Sequence, residues 1–388
     1  MTKTNSGSIY FPGLNSLRFF AASAVVFHHV EQYKSWKGQP NIWGTTGLLG
    51  NFIDAIGHKA VSLFFVLSGF LITYLLLAEV AKTGTVSLRK FYIRRILRIW
   101  PLYYIIVLSA IFLLPQIIKI GPDPDLVQGN ILFVLAVYLF MLPNLMLAKT
   151  YHVVGANQAW SVGVEEQFYI IWPFLVRQFH KKFIPFLWIL IVLKMGLSVI
   201  AMAGIAWSAN PSFVEAMHKF ERLWSTFKIE QMAIGGFGAY YLFHNKKSVL
   251  EWMYSKVNII LCAILFVIMF TTSFDFFGLT LLEAYVFITL ILNISTNPNF
   301  PVKLEDKRFN LLGNMSYGIY MWHTLCISLV LALADAVEIS PQGWKYHTFL
   351  HLSSFLLTLI VSYISYTYIE SFFLRFKDKF MVVRSTTH

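Results

Sequence analysis

The stretch FIPFLWILIVLKMGLSVIAMAGIAW, Phe183–Trp207, decides the fold class. It holds one charge, Lys194. As a helix rising about 1.5 Å per residue, it is long enough to cross the roughly 30 Å of a bilayer's hydrocarbon core. Val257–Phe270 is apolar to nearly the same degree. Working outward, the composition agrees. The chain of 388 residues is 57% hydrophobic and 17% aromatic, and only 13% is Asp, Glu, Lys or Arg, about half the roughly 25% of soluble domains. So few charges cannot cover a water-facing surface of this size, which excludes a soluble domain, a disordered chain and a fibre. The expected fold class is all-α, a polytopic transmembrane helical bundle.

The net charge of +12 comes from 31 Lys and Arg against 19 Asp and Glu. In a soluble protein this would suggest nucleic acid, but no basic recognition helix or zinc-ligand spacing is present, so no nucleic acid is expected as a partner. Basic residues that collect in cytoplasmic loops and touch anionic membrane lipids account for the excess. Cys262 and Cys326 both lie in apolar segments, which argues for neither a disulfide framework nor a metal site. The N-terminus MTKTNSGSIYFPG is polar and lacks a signal-peptide pattern.

Apolar segments fall near 14–33, 60–80, 100–119, 126–147, 158–176, 183–206, 228–244, 257–274, 277–296, 311–334 and 347–370. The basic clusters Lys82–Arg98, Arg177–Lys182, Lys246–Lys247, Lys303–Arg308 and Arg375–Lys379 test that count. Eleven full crossings would leave the later clusters outside. One net crossing over 100–147 brings every cluster inside. The expectation is therefore about ten net crossings, with 126–147 interfacial or re-entrant and both termini cytoplasmic. Residues 1–13 form a cytoplasmic N-terminal segment, 14–376 the membrane domain and 377–388 a cytoplasmic tail. The largest extramembrane pieces are 34–58 and 207–227 outside and 81–99 inside. No internal repeat is visible, which weighs slightly against a transporter.

Ionisable groups within spans are costly and usually functional. Arg18 and His29 sit eleven positions apart in LNSLRFFAASAVVFHHVEQY, within about 20° of one helix face and roughly 16 Å apart along the axis. They form a polar stripe, unless Arg18 only snorkels to headgroups. In QAWSVGVEEQFYIIWP, Ser161, Glu165 and Tyr169 share a face at i, i+4 and i+8. A carboxylate there suits an imidazole partner, or it merely caps or pairs at the interface. Glu166, on another face, is the more interfacial of the two. Arg95 and Arg98 in FYIRRILRIWP share a face at a cytoplasmic helix start. Forked arginines suit phosphate, although any multispan protein needs a basic loop. Ser68-Gly69 in FFVLSGFLI offers small residues for close helix contact, and His323 in SYGIYMWHT is open to a ligand, packing or proton-relay role.

These motifs, in this order and with YTYIESFFLRF late in the chain, resemble the acyltransferase-3 family of integral membrane acyltransferases from near Leu14 to about Phe376. The resemblance implies roughly ten transmembrane helices and transfer of an acyl group, usually acetyl from acetyl-CoA, to an extracytoplasmic or lipid-linked carbohydrate. The donor is a substrate, and no resident cofactor or metal is expected. Carried over, Arg18 and His29 match an Arg-x10-His pair with His29 catalytic. Arg95 and Arg98 match an Arg-x-x-Arg that holds the CoA phosphates. Glu165 matches the Glu after Trp-Ser, and Glu230 in FKIEQMAIGGFGAYYL matches an acidic position less firmly. Many members carry a fused esterase-like domain. The chain ends about twelve residues past Phe376, so none is expected, which leaves open direct transfer or a separate extracytoplasmic acyltransferase partner. The family implies a bacterial inner membrane. In the expected mechanism the nucleotide binds at Arg95 and Arg98, with Arg18 adding a positive contact. His29 acts as general base on the acceptor hydroxyl, and Glu165 orients His29. A glycolipid or polysaccharide exporter or flippase, or a non-catalytic relative, would share the fold and basic face. The intact set Arg18, His29, Arg95, Arg98 and Glu165 favours the enzyme.

Overall fold

A computed structural model describes residues 8–44, 47–118, 124–149, 152–272, 276–341 and 343–383. Residues 1–7 and 384–388, parts of the two end segments expected to be cytoplasmic, lie outside the described residues. The regular elements among the described residues are all helices. In order they are α1 (Leu14–Trp36), α2 (Gly47–Thr83) and α3 (Leu88–Leu108), which continues through a π turn at Ser109–Leu113 into α4 (Leu114–Ile117). Three short helices follow, α5 (Pro124–Gly129), α6 (Ile131–Leu139) and α7 (Asn144–Ala148). Then come α8 (Ala159–Phe179), α9 (Phe183–Trp207), α10 (Pro211–Thr226), α11 (Ile229–Phe243), α12 (Lys247–Tyr254) and α13 (Lys256–Thr271). The chain closes with α14 (Leu279–Thr296), α15 (Lys307–Asn314), α16 (Ser316–Ala336), α17 (Trp344–Ser365) and α18 (Ser371–Lys377).

Among the described residues, six helical stretches are long and apolar enough to cross a membrane, or seven if α12 and α13, bent by 56°, count as one. Among the described residues the apolar segments expected from the sequence fall largely on helices, and four stretches differ from their expected extent. Segment 60–80 is only the later part of a 37-residue α2. The run from Gly47 contains no proline, and a helix once begun extends readily. In 81–99, expected as an extramembrane piece with a helix start at Arg95 and Arg98, the helix begins earlier, at Leu88. Within 207–227, α10 is started by Asn210, whose side chain accepts from Ser212 N at 3.0 Å and Phe213 N at 3.3 Å, with Pro211 in the first turn. Segment 126–147 is broken among α5, α6 and α7. The nine residues of α6 reach only about 13 Å, too short to cross, in keeping with an interfacial or re-entrant piece.

Contacts between loops place the basic clusters at one end of the bundle. Lys82 Nζ donates to the Val382 carbonyl at 2.9 Å and Arg94 to that of Phe380 at 2.7 Å, so the α2–α3 turn meets the C-terminal segment. Gly13 N donates to Glu305 at 2.7 Å, joining the start of α1 to the 303–308 cluster. Phe11 lies edge-on to Tyr74 near the end of α2, with ring centroids 5.0 Å apart. Tyr74 meets Phe243 at 5.4 Å and Phe183 meets Tyr240 at 5.9 Å, which brings in the 246–247 and 177–182 clusters. At the opposite end, Lys37 pairs with Asp335, and Tyr346 donates to Gln39 at 2.7 Å.

The core of the bundle is the α2–α11 contact, and two glycines permit it. A Cβ on Gly69 would lie 2.0 Å from the Met232 carbonyl oxygen, and one on Gly235 would lie 2.2 Å from that of Val66. The helices therefore touch backbone to backbone, as small residues allow inside membranes.

Candidate functional site

Two cavities lie end to end inside the bundle. The first, of about 170 Å³, opens toward the basic end and is lined by Arg18, Arg95, Arg98, Ser161, Glu165 and Tyr169, with Arg94, Lys377 and Met381 at its mouth. The second, of about 420 Å³, lies toward the opposite end and is lined by His28, His29, His58, Asn157, Trp160 and Glu283. Val61, Phe65 and Tyr320 line both cavities and form the partition between them.

In the first cavity, α3 presents Arg95 and Arg98 from one face at the basic end, as their spacing required. The Arg95 guanidinium sits 4.9 Å from the Tyr169 ring centroid and 5.5 Å from that of Phe91, within cation–π range. Ser161, Glu165 and Tyr169 do share a face of α8. Ser68 Oγ donates to Glu165 Oε1 at 2.7 Å, and the Tyr169 hydroxyl reaches Glu165 Oε2 and Ser68 Oγ, both at 3.1 Å. Ser161 Oγ lies 2.6 Å from the Tyr320 hydroxyl, which also donates to the Gln158 carbonyl at 3.2 Å. Ser161 is thus tied to the partition.

The second cavity carries the histidines. His29 Nδ1 lies 3.0 Å from the Val25 carbonyl oxygen and 3.3 Å from His323 Nε2. His28 is bonded to the Ile53 carbonyl at 2.9 Å and seats its ring over Gly57, where a Cβ would come within 2.4 Å of it. His58 flanks His28, with centroids 5.2 Å apart. Lys59 pairs with Glu283, which also accepts from Ser62 at 3.1 Å.

Arg18 and His29 face the same line through the bundle, one in each cavity, as their separation of eleven residues predicts. Two expectations are corrected. Glu165 does not hold His29, since its oxygens accept from Ser68 and Tyr169 in the arginine cavity while His29 bonds His323. A helix wheel gives the face of Glu165 but not the neighbour that this face meets. Glu166 is not interfacial: it is 5% exposed and accepts from Trp100 Nε1 at 2.9 Å, because its rotation from Glu165 turns it toward α3. Glu230 is buried at the start of α11 and lines neither cavity.

Tyr320, the tyrosine of the partition, was not singled out, although it stands one helical turn before His323 in SYGIYMWH. Also missed was a buried cluster at the C-terminal end of α1. Lys34 Nζ lies 2.7 Å from both Glu31 and His347 Nδ1, and His351 Nε2 lies 3.1 Å from Glu31. Its i, i+3 Glu-Lys spacing was a visible signal, but its partners come from α17.

A family model described as an acyltransferase domain matches residues 11–367. The chain is 28% identical to the peptidoglycan O-acetyltransferase OatA of Listeria monocytogenes, over 95% of this chain and 58% of that protein. It is 24% identical to the O-acetyltransferase OatA of Staphylococcus aureus, over 93% of this chain and 57% of that protein. The chain thus spans somewhat more than half the length of these curated relatives. No solved structure matches it.

Proposed function

The chain belongs to the acyltransferase-3 family, and on that premise we propose that it moves an acyl group, acetyl for preference, from cytosolic acyl-CoA to a hydroxyl of a cell-envelope carbohydrate. The single observation that carries this reading is the pair of cavities that share Val61, Phe65 and Tyr320 as a partition. A charged cytosolic donor and an extracytoplasmic acceptor need separate entrances to one reaction centre. An arginine-lined cavity at the basic end suits the first, and a histidine-lined cavity at the other suits the second.

With the basic end cytoplasmic, Arg95 and Arg98 bind the nucleotide phosphates as forked donors, and Arg18 adds a charge deeper in. The Glu165–Ser68–Tyr169 group braces Tyr169 beneath Arg95. The acyl-pantetheine arm extends toward the partition, and side-chain rotation of Phe65 brings the thioester carbonyl to His29. His29 removes the acceptor hydroxyl proton as the oxygen attacks that carbonyl. The C–S bond breaks, the acyl–oxygen ester forms, and the leaving CoA thiolate takes up the proton from the imidazolium. The relatives' names point to peptidoglycan as an acceptor class, and the membrane is the bacterial inner membrane in this reading.

The test is to incubate membranes containing the full chain with isotope-labelled acetyl-CoA and to seek the envelope component that gains an acetyl mass. A labelled carbohydrate is expected. Movement of unlabelled glycolipid across the membrane, without any acetyl gain, would replace transfer by export.

A further inference from the structure

We infer that His323 is the positioning residue of His29, holding its ring so that Nε2 is the bare, basic nitrogen. This rests on the proposed role of His29 as general base. A carbonyl oxygen accepts but never donates a hydrogen bond.

His323 Nδ1 lies 2.6 Å from the Tyr320 carbonyl oxygen, so Nδ1 carries the proton. In the neutral ring this leaves His323 Nε2 with a lone pair. That nitrogen faces His29 Nδ1 at 3.3 Å, which must therefore be the donor. Independently, His29 Nδ1 faces the Val25 carbonyl oxygen at 3.0 Å, and this also requires a proton there. The two constraints agree, and the remaining nitrogen, Nε2, is left to act as base.

The same arrangement explains the displaced carboxylate. His29 faces His28 on its own helix, with His58 of α2 beyond it, and His323 of α16, with ring centroids 5.3 Å and 4.8 Å away for the two direct neighbours. Glu165 bonds elsewhere. When Nε2 takes a proton, the charge spreads over the ring and strengthens the Nδ1–H bonds. The Val25 carbonyl is already engaged in its helix, so His323 Nε2 is the acceptor free to respond. The seat of His323 is rigid: it is fully buried, and Tyr320, whose carbonyl fixes it, is itself held through its hydroxyl by Ser161 and Gln158. One turn of α16 thus links the partition to the base.

The test compares the full chain with His323→Leu, which keeps bulk and removes the acceptor, and His323→Gln, whose side-chain oxygen reaches the place of Nε2. With acetyl-CoA as donor, His323→Leu should lower kcat by about 10²-fold, the lower bound of general-base contributions, with the KM for acetyl-CoA unchanged. His323→Gln should recover most of that loss. Nitrogen NMR of isotope-labelled histidine should find His29 with a bare Nε2 in the wild type and both variants, since the Val25 carbonyl still holds the Nδ1 proton, with the Nδ1 signal moved in the Leu variant alone because that proton has lost its second acceptor. Wild-type kcat in His323→Leu, equal damage in both variants, or a protonated Nε2 in neutral wild-type His29 would each overturn the assignment. The NMR arm needs no substrate, so a failure of acyl transfer itself is read separately.

Discussion

Ser68 donates to Glu165 at 2.7 Å, which ties α2 to α8 across the wall of the arginine cavity. Gly69, the next residue, lets the same helix lie directly on the backbone of α11. The carboxylate therefore belongs to the arginine cavity. Glu165→Ala should raise the KM for acetyl-CoA more than it lowers kcat, because it frees Tyr169 from beneath Arg95. Steady-state kinetics in membranes would check this. A pure kcat loss would return Glu165 to the catalytic base.

Arg95→Ala combined with Arg98→Ala should raise the apparent KM for acetyl-CoA by tenfold or more, where each tenfold is about 1.4 kcal/mol. Arg-to-Lys changes should rescue only partly, since a lysine lacks the fork. Donor titration reads the outcome, and an unchanged affinity removes the phosphate role.

Gly69→Val should strongly destabilise the bundle. Its Cβ would lie 2.0 Å from a backbone oxygen that cannot rotate away. Overpacking typically costs about 1–3 kcal/mol and sometimes more. Thermal unfolding of the detergent-solubilised protein would show a lower midpoint and poor yield.

Phe65→Ala should open the partition. Water then reaches the thioester, so hydrolysis of acetyl-CoA should rise relative to transfer. Release of free CoA without acceptor, followed with a thiol reagent, measures this. A ratio equal to wild type would mean that Phe65 is not a barrier.

The topology has its own test. Cys262 and Cys326 are both buried, which keeps the labelling background low. Lys149→Cys should react with an impermeant thiol reagent from outside intact cells, and Lys247→Cys only after the membrane is opened. Labelling of position 149 only from the cytoplasm would mean that 126–147 crosses fully.

The residues that the sequence made legible are those whose cost in an apolar helix is plain. Arg18, His29, Arg95, Arg98 and Glu165 stood out because charges are rare in spans, and their spacing correctly gave the shared faces. The pairing of faces was not legible. Glu165 and His29 each pointed inward, yet a wheel carries no record of which helix lies opposite. That gap produced the misassigned Glu165–His29 contact and left His323 open among ligand, packing and relay roles. Tyr320 was hidden for a different reason, since a tyrosine in an apolar segment also suits the membrane interface. The basic clusters, by contrast, predicted a common end, and the loop contacts gather them there.

The central claim is that His29 is the base of acyl transfer. The most direct measurement is acetyl transfer from labelled acetyl-CoA by membranes carrying His29→Ala, matched to wild type for inserted protein. The account predicts a loss of about 10²–10⁴-fold with donor binding retained. Transfer near the wild-type rate in that variant would contradict it.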